Sequence, residues 1–288
     1  LERKMMKREE TSISIIGAGY VGRALYHGFS PILSKVFLYD KYITGFNTFE
    51  ETINGSFIIF LCLPTPTDMK TGKQDLSIIR NVIENLPSER VIVIKSTVLP
   101  GTTRSFQEEF SDHVFVFNPE FLTERTYIFD FLNQSRIILG SNYEAMLNLL
   151  ENLYRLRFPH TPIFKTTLET AEVIKYICNC YFSSKVSFLN EVYEICKKIG
   201  ISYDDVRNGL LGDQRIANSH TAVPGPDGDF GFGGKCFPKD LKSFLTWGKD
   251  LGLDMTMFEA TEKVNERVRK VKDWEEIKGA TTENSFKD

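Results

Sequence analysis

The feature that most constrains this chain is an alternation. Through its first half, short runs rich in β-branched and aromatic residues take turns with amphipathic ones. "SISIIG", "KVFLYD", "FIIFLCLP", "RVIVIKST", "HVFVFNP", "SRIILG" and "TPIFKT" are the short runs. "YVGRALYHGF" and "NYEAMLNLLENLYRL" are the clearest of the helical patterns between them. Strands that alternate with helices predict an α/β domain built on a parallel, doubly wound sheet. That domain is expected over residues 11–165. The texture then changes. From Thr167 to about Ile199 no proline or glycine interrupts the chain, and apolar residues recur at helical spacing on most sides. Such a helix is expected to be buried by neighbours. "YDDVRNGLL" reads as a shorter helix, another is expected from Pro238 onward, and a last one near residues 255–272. That last helix has Met257, Thr261, Val264, Val268 and Val271 at steps of four and three, a seam for packing on another helix. The seam fits a second subunit or the chain itself equally well. An all-helical central domain over 166–275 and a short tail over 276–288 follow.

Composition excludes several classes. A hydrophobic content of 42 % and a charged content of 25 % are those of an ordinary globular protein. A net charge of −3 argues against nucleic acid as main partner. No apolar run approaches membrane-spanning length, and the opening "LERKMMKREE" is charged, unlike a signal peptide. The five cysteines form no CxxC pair and the four histidines are scattered, so neither a disulfide framework nor a metal site is expected. A cytoplasmic setting fits this usage.

"GAGYVG" places Gly17, Gly19 and Gly22 directly after a strand, with Tyr20 and Val21 opening a helix. The first glycine permits a tight turn, the second lets a pyrophosphate approach the backbone, and the third lets helix and strand pack closely. The helix N-terminus attracts the phosphates. Asp40 ends the next strand, about twenty residues on, where a carboxylate can hold both ribose hydroxyls. It would repel a 2′-phosphate, so NAD is favoured over NADP, although the adjacent Lys41 weakens that preference. Two later strand ends, "LPTPTD" with Pro64 and Thr65 and "KSTVLPGT" with Ser96 and Thr97, lie where such sheets bind ligands. Ordinary turn chemistry explains each equally well on its own.

The second motif is "GFGGKCFPKD". Pro238 suits the first turn of a helix, so Cys236 is expected at or just before a helix N-terminus. Backbone N–H groups there favour a thiolate and could stabilise an oxyanion on a carbonyl that the sulfur attacks. Asp240 opposes this, because a nearby carboxylate raises a thiol pKa, and a cation is therefore expected close by. Lys175, inside the mostly apolar helix with Asn179 one turn later, is a candidate. Its plainer reading is a lysine that snorkels to solvent. "NPEFLTE" adds Glu120 and Glu124 after another strand.

Taken together, "GAGYVG", "LPTPTD", "KSTV", "NPEFLTE", "KYICN", "DQRI" and "GFGGKCFPKD" resemble the UDP-glucose/GDP-mannose dehydrogenase family, in its order and over nearly the whole chain. The resemblance implies oxidation of a nucleotide sugar's C6 alcohol to a carboxylate with two NAD+, UDP-glucose being the expected substrate. It implies that Cys236 captures the intermediate aldehyde as a thiohemiacetal that becomes a thioester. Lys175 and Asp240 match residues that stabilise oxyanions and handle a water, and Asn179 an oxyanion and substrate contact. Thr97 and Glu120 match residues of water and proton handling, and Glu124 one near cofactor and substrate. Phe121 and Leu122 lie between these glutamates, where the family meets its substrate. Arg215 in "DQRI" matches a substrate-contacting arginine, and Gly231, Phe232 and Gly233 match a loop along the sugar. A homodimer through the central helices is implied as well. Two departures stand out. Gly45 replaces a frequent basic residue five positions after Asp40, and only "DWEEIKGATTENSFKD" stands where the family continues into a second, nucleotide-gripping domain. Two other functions compete with this expectation. One is a catalytically weak NAD-binding subunit that needs a partner chain for the nucleotide. The other is a two-electron hydroxy-acid dehydrogenase, against which the cysteine motif speaks.

Overall fold

The computed structural model describes residues 10–285. The charged opening segment before residue 10 and the last three residues of the expected tail lie outside them. The chain divides into two compact units. The first takes the chain up to Thr65 and again Leu76–Lys175, and the second takes Pro66–Asp75 and everything from Tyr176.

The first unit is a seven-stranded sheet in the order β2-β1-β3-β4-β5-β6-β7. Its strands are β1 (Ser12–Ile16), β2 (Lys35–Tyr39), β3 (Ile58–Leu61), β4 (Val91–Ile94), β5 (Val114–Phe117), β6 (Ile137–Gly140) and β7 (Ile163–Thr166). The helices between them are α1 (Tyr20–Phe29), α2 (Phe49–Gly55), α3 (Ser77–Glu84), α4 (Thr102–Glu109), α5 (Tyr127–Leu132) and α6 (Glu144–Arg157). All seven apolar runs singled out in the sequence are strands, and β3 and β4 are buried along their whole length. Burial on both faces is what a sheet covered by helices on each side demands. The side chains alternate accordingly. Ile58, Phe60, Val91 and Val93 join one core with Phe29, Leu150 and Tyr154, while Ile59, Leu61, Ile92 and Ile94 join another with Ile79 and Phe106.

One feature departs from an all-parallel sheet. β5 and β6 pair antiparallel, through Phe117 and Gly140 alone, so β6 and β7 run opposite to the first five strands. Strand periodicity carries no direction, which is why the sequence expectation lacked this reversal. Because β1 lies between β2 and β3, the chain leaves β1 towards one side and later returns to its other side. Such a switch point opens a crevice outside the carboxyl ends of the strands.

The second unit is helical. It holds α7 (Leu168–Ile199) from Tyr176 on, α8 (Tyr203–Leu211), α9 (Phe237–Asp250), α10 (Thr256–Val268) and a 3-10 turn at Asp273–Glu275. The helix α7 runs unbroken, as the absence of proline and glycine predicts. It is not buried all round, however. Ile177, Tyr181, Phe188, Ile195 and Ile199 stay exposed in the single chain. Ser187 Oγ donates to the Thr261 carbonyl of α10 and Ser184 shares a hydrogen bond with the Thr261 hydroxyl, so the middle of the α10 seam packs within the chain. Met257 is exposed. The segment after α10 folds back, and Thr281 forms a bridge with Thr67, where Thr67 N–H donates to the Ala280 carbonyl.

Candidate active site

The turn after β1 gives its three glycines three different jobs. A Cβ on Gly17 (φ +103) would lie 2.4 Å from the Cys62 carbonyl oxygen, and one on Gly22 would lie 1.8 Å from the Gly17 carbonyl oxygen. Only glycine fits either place. A Cβ on Gly19, at the N-cap of α1, meets nothing within 4 Å. The open space thus lies where a pyrophosphate would approach the helix N-terminus, and the residues fit a dinucleotide. Asp40 closes this turn. Its Oδ2 accepts from Ala18 N–H (2.7 Å), and its Oδ1 from Tyr42 N–H (2.8 Å) and Ile43 N–H (3.1 Å). The carboxylate is therefore fixed in direction beside the glycine turn. Lys41 lies beside it, exposed, with its ammonium over the Tyr42 ring. Tyr20 and Val21, at the start of α1, are half-buried. Gly45 (φ +93) has open space about it.

The end of β4 meets the end of β3 through Ser96. Its hydroxyl accepts from Leu63 N–H (2.9 Å) and donates to the Leu63 carbonyl (2.7 Å). Thr65 Oγ1 donates to the Thr97 carbonyl at 2.8 Å, so the Pro64–Thr65 turn and the Ser96–Thr97 turn are held together.

Beyond β5, Lys175 is buried against Glu120. The lysine Nζ donates to Glu120 Oε1 (2.9 Å) and to the Glu120 carbonyl (2.8 Å), while Glu120 Oε2 accepts from Leu122 N–H (2.7 Å). Lys175 does not snorkel. Its ammonium also faces the Phe121 ring, 5.6 Å from the centroid. Glu124 lies on the exposed turn that follows.

Behind this pair stands a group that sequence reasoning passed over. Lys95, at the end of β4, is only 4 % exposed. Its Nζ donates to the Asn118 carbonyl (3.0 Å) and to Asn118 Oδ1 (2.9 Å), and that oxygen also accepts from the Tyr154 hydroxyl. Burial lowers the Lys95 pKa to about 8, opposed by the charge of Glu120. A second overlooked group is Glu172. Its carboxylate accepts from Gly101 N–H (2.7 Å) and Thr103 N–H (2.8 Å), capping α4 from α7. Burial raises its pKa to about 7 against those hydrogen bonds.

In the second unit, Cys236 is the N-cap of α9, with Pro238 in the helix's first turn, as the motif predicts. Asp240 is fully buried one turn on. Asn179 Nδ2 donates to its Oδ2 (2.6 Å), and Lys239 Nζ lies 2.5 Å from its Oδ1. Asp240 is thus paired within the motif by Lys239, a residue the sequence reading did not single out, while Lys175, its candidate cation for the thiol, is paired with Glu120. A buried lysine looks like a solvated one in a sequence, so only its place in the first turn could have flagged it. Two other cysteines are held as thiols. Burial pushes the Cys62 thiol up to about 12 and raises that of Cys180 beside Asp240. Arg215, on the loop after α8, is 88 % exposed and pairs with Asp213 at 2.6 Å. Gly231, Phe232 and Gly233 form the irregular approach to Cys236.

Two models of a single family match the chain. The NAD binding domain of the UDP-glucose/GDP-mannose dehydrogenase family covers residues 40–157, and that family's central domain covers 169–267. The chain belongs to this family. Its dinucleotide is accordingly NAD. UDP-glucose 6-dehydrogenase TuaD of Bacillus subtilis is 32 % identical over 300 residues, covering 89 % of this chain and 63 % of TuaD. A UDP-glucose 6-dehydrogenase of Rhizobium meliloti is 32 % identical over 230 residues, 75 % of this chain and 52 % of that protein. The solved UDP-glucose dehydrogenase of Pyrobaculum islandicum superposes with a TM-score of 0.80 at 27 % identity, over 93 % of this chain and 70 % of that one. The chain therefore spans about half to two thirds of the length of the curated relatives named here. These relatives agree with the two models in placing it in the nucleotide-sugar dehydrogenase family.

Proposed function

We propose that this chain carries out the NAD-dependent, four-electron oxidation of a nucleotide sugar's C6 alcohol to a carboxylate, with UDP-glucose as substrate. The observation that carries the reading is Cys236 at the N-cap of α9, one turn before a buried Asp240 whose oxygens are taken up by Asn179 and Lys239. NAD+, when bound, supplies the hydride acceptor for both oxidations. Gly17, Gly19, Gly22 and Asp40 would hold it, with Tyr20, Val21, Lys41, Pro64, Thr65, Ser96 and Thr97 around it. Residues 11–165 are assigned to this task, residues 166–275 to catalysis and dimerisation.

The chemistry asks for a nucleophile. An alcohol loses hydride without bonding to the protein, but an aldehyde must first become tetrahedral. In this reading the Cys236 thiolate adds to the aldehyde carbon, and the carbonyl oxygen takes up the negative charge and then a proton. Loss of that proton, together with hydride from the carbon, leaves a thioester. Water then adds, the C–S bond breaks, and carboxylate and thiolate separate. Asn179 donates to the developing oxyanion, and Asp240 takes the proton of the attacking water. Lys175, Glu120 and Thr97 handle protons of the alcohol step. Glu124, Phe121, Leu122, Arg215, Gly231, Phe232 and Gly233 contact the sugar nucleotide. The exposed apolar stripe of α7 is covered by a second copy of the chain.

Two NAD+ reduced per UDP-glucose consumed is the expected stoichiometry, and Cys236→Ser should abolish net acid formation. Lack of turnover with UDP-glucose, GDP-mannose and N-acetylated UDP-sugars would overturn the reading. Unchanged acid formation by Cys236→Ser would remove the covalent route.

A further inference from the structure

Cys236 is approached by an irregular segment, yet that segment is tightly held. Asn265 of α10, itself buried, reads both sides of one residue. Its Oδ1 accepts from Phe232 N–H (2.7 Å), and its Nδ2 donates to the Phe232 carbonyl (3.0 Å). Gly231 N–H donates to Asn190 Oδ1 of α7 at 3.1 Å. Both oxygens of Asp273, in the 3-10 turn beyond α10, accept from Gly234 N–H at 3.1 and 3.0 Å. Asp273 is in turn held by Arg269, whose Nη2 donates to its Oδ1 (3.1 Å). Arg269 Nη1 donates to Asp227 Oδ2 (2.6 Å) and its Nε to the Val271 carbonyl (2.8 Å).

The glycines of the motif follow from this clamp. A Cβ on Gly231 (φ +68) would lie 2.2 Å from Asn265 Oδ1. One on Gly233 would lie 2.2 Å from Asp273 Oδ1 and 2.3 Å from Arg269 Nη2. A bare backbone is what lets these side chains close on the segment.

We infer that Asn265 and Asp273 are positioning residues for the Cys236 thiol, acting through the backbone of Phe232 and Gly234. The inference rests on the reading of Cys236 as the nucleophile. Only Lys235 separates Gly234 from Cys236, so about 7 Å of chain at most joins the clamped amide to the sulfur-bearing residue. A displacement of Gly234 reaches the thiol almost undiminished, and a misplacement of about 1 Å can cost about a hundredfold in rate. Asp273 shares the Arg269 guanidinium with Asp227 and Asp229, so the carboxylate that holds Gly234 N–H is itself held by an ion-pair cluster.

The test compares Asp273→Ala, Asp273→Asn and Asn265→Ala with the parent protein. Three quantities are read: NAD affinity by calorimetry, the pH profile of Cys236 alkylation by iodoacetamide, followed by mass spectrometry on the Cys236 peptide, and the KM and kcat for UDP-glucose. Asp273→Ala and Asn265→Ala should slow alkylation and kcat by about tenfold or more. KM and NAD affinity should stay within about threefold, a split that a merely structural role would not produce. Asp273→Asn, nearly isosteric and still an acceptor, should recover part of the loss, and it keeps the test open if the alanine variant fails to fold. An alkylation profile identical to the parent's in all three variants overturns the inference. So does a loss of NAD affinity and kcat in parallel. Because alkylation is read without turnover, failure of the proposed reaction in Cys236→Ser assays is distinguishable from failure of the clamp.

Discussion

Asp240 has no exposed surface, yet two donors meet its two carboxylate oxygens. A lone buried carboxylate would be costly, and breaking such a pair by removing one partner typically costs about 3–5 kcal/mol. Lys239 and Asn179 together therefore keep Asp240 from being such a group. Glu172 tells a different story, since its hydrogen-bond partners are the N–H groups that start α4. Burial raises its pKa from the ordinary glutamate value of 4.5 to about 7, so between those values the folded state binds more protons than the unfolded one. The stability it contributes is complete below about pH 4.5 and is lost as pH rises through about 7. Glu172→Gln removes this dependence. The melting-temperature advantage of the parent over the variant should therefore shrink as pH rises from 5 to 8, by up to about 3 kcal/mol in stability terms. A difference that stays constant with pH would contradict the assignment. Neither Glu172 nor Lys95 was legible in the sequence. A buried charge is spelled with the same letters as a solvated one, and several of its partners are backbone groups that leave no side-chain pattern.

At the scale of elements, the glycine turn separates two functions that a motif lumps together. Gly22 is tied to packing, because any Cβ there meets the Gly17 carbonyl. Gly19 is tied to the open space above the N-terminus of α1. Gly22→Ala should destabilise the protein by about 2 kcal/mol or more, through a backbone clash that cannot relax cheaply. Gly19→Ser, which keeps a good N-cap, should leave the melting temperature within about 2 °C and weaken NAD at least about tenfold. Thermal scanning and calorimetry check both, and equal effects of the two changes would contradict the division. This turn was fully readable in the sequence because strand, spacing and helix coincide there, and so were all seven strands. The reversal at β6 was not, since its single pair, Phe117 with Gly140, lies at the very ends of two short strands. Nor was the exposed stripe of α7. Tyr181 and Phe188 are as apolar in sequence as the buried Tyr176 and Leu189, and only the arrangement of neighbours sorts them.

For the whole molecule, that stripe is the largest unspent hydrophobic resource of α7. Ile177, Tyr181, Phe188, Ile195 and Ile199 recur at steps of four and seven, the spacing of one helix face, and side chains of this kind are rarely left in water over such a length. The parent protein is expected to sediment as a dimer. Phe188→Glu combined with Ile195→Glu should yield a monomer, by sedimentation velocity at micromolar concentration. A parent that sediments as a monomer would contradict the proposal. Among the described residues no helix is long and apolar enough to cross a membrane, so lipid does not claim this face through a spanning helix.

The backbone passes between the two compact units at Thr65, at Asp75 and at Lys175, and the excursion Pro66–Asp75 is tied to the end of the chain through Thr67 and Thr281. Recombination at a single point would therefore not yield a transplantable module. A chimera joining residues from 176 onward to a foreign nucleotide-binding half would inherit Thr281 without its bridge partner Thr67, unless ten residues from far upstream travelled with it. A transplant of the half that begins at Tyr176 therefore has to carry residues 66–75 with it.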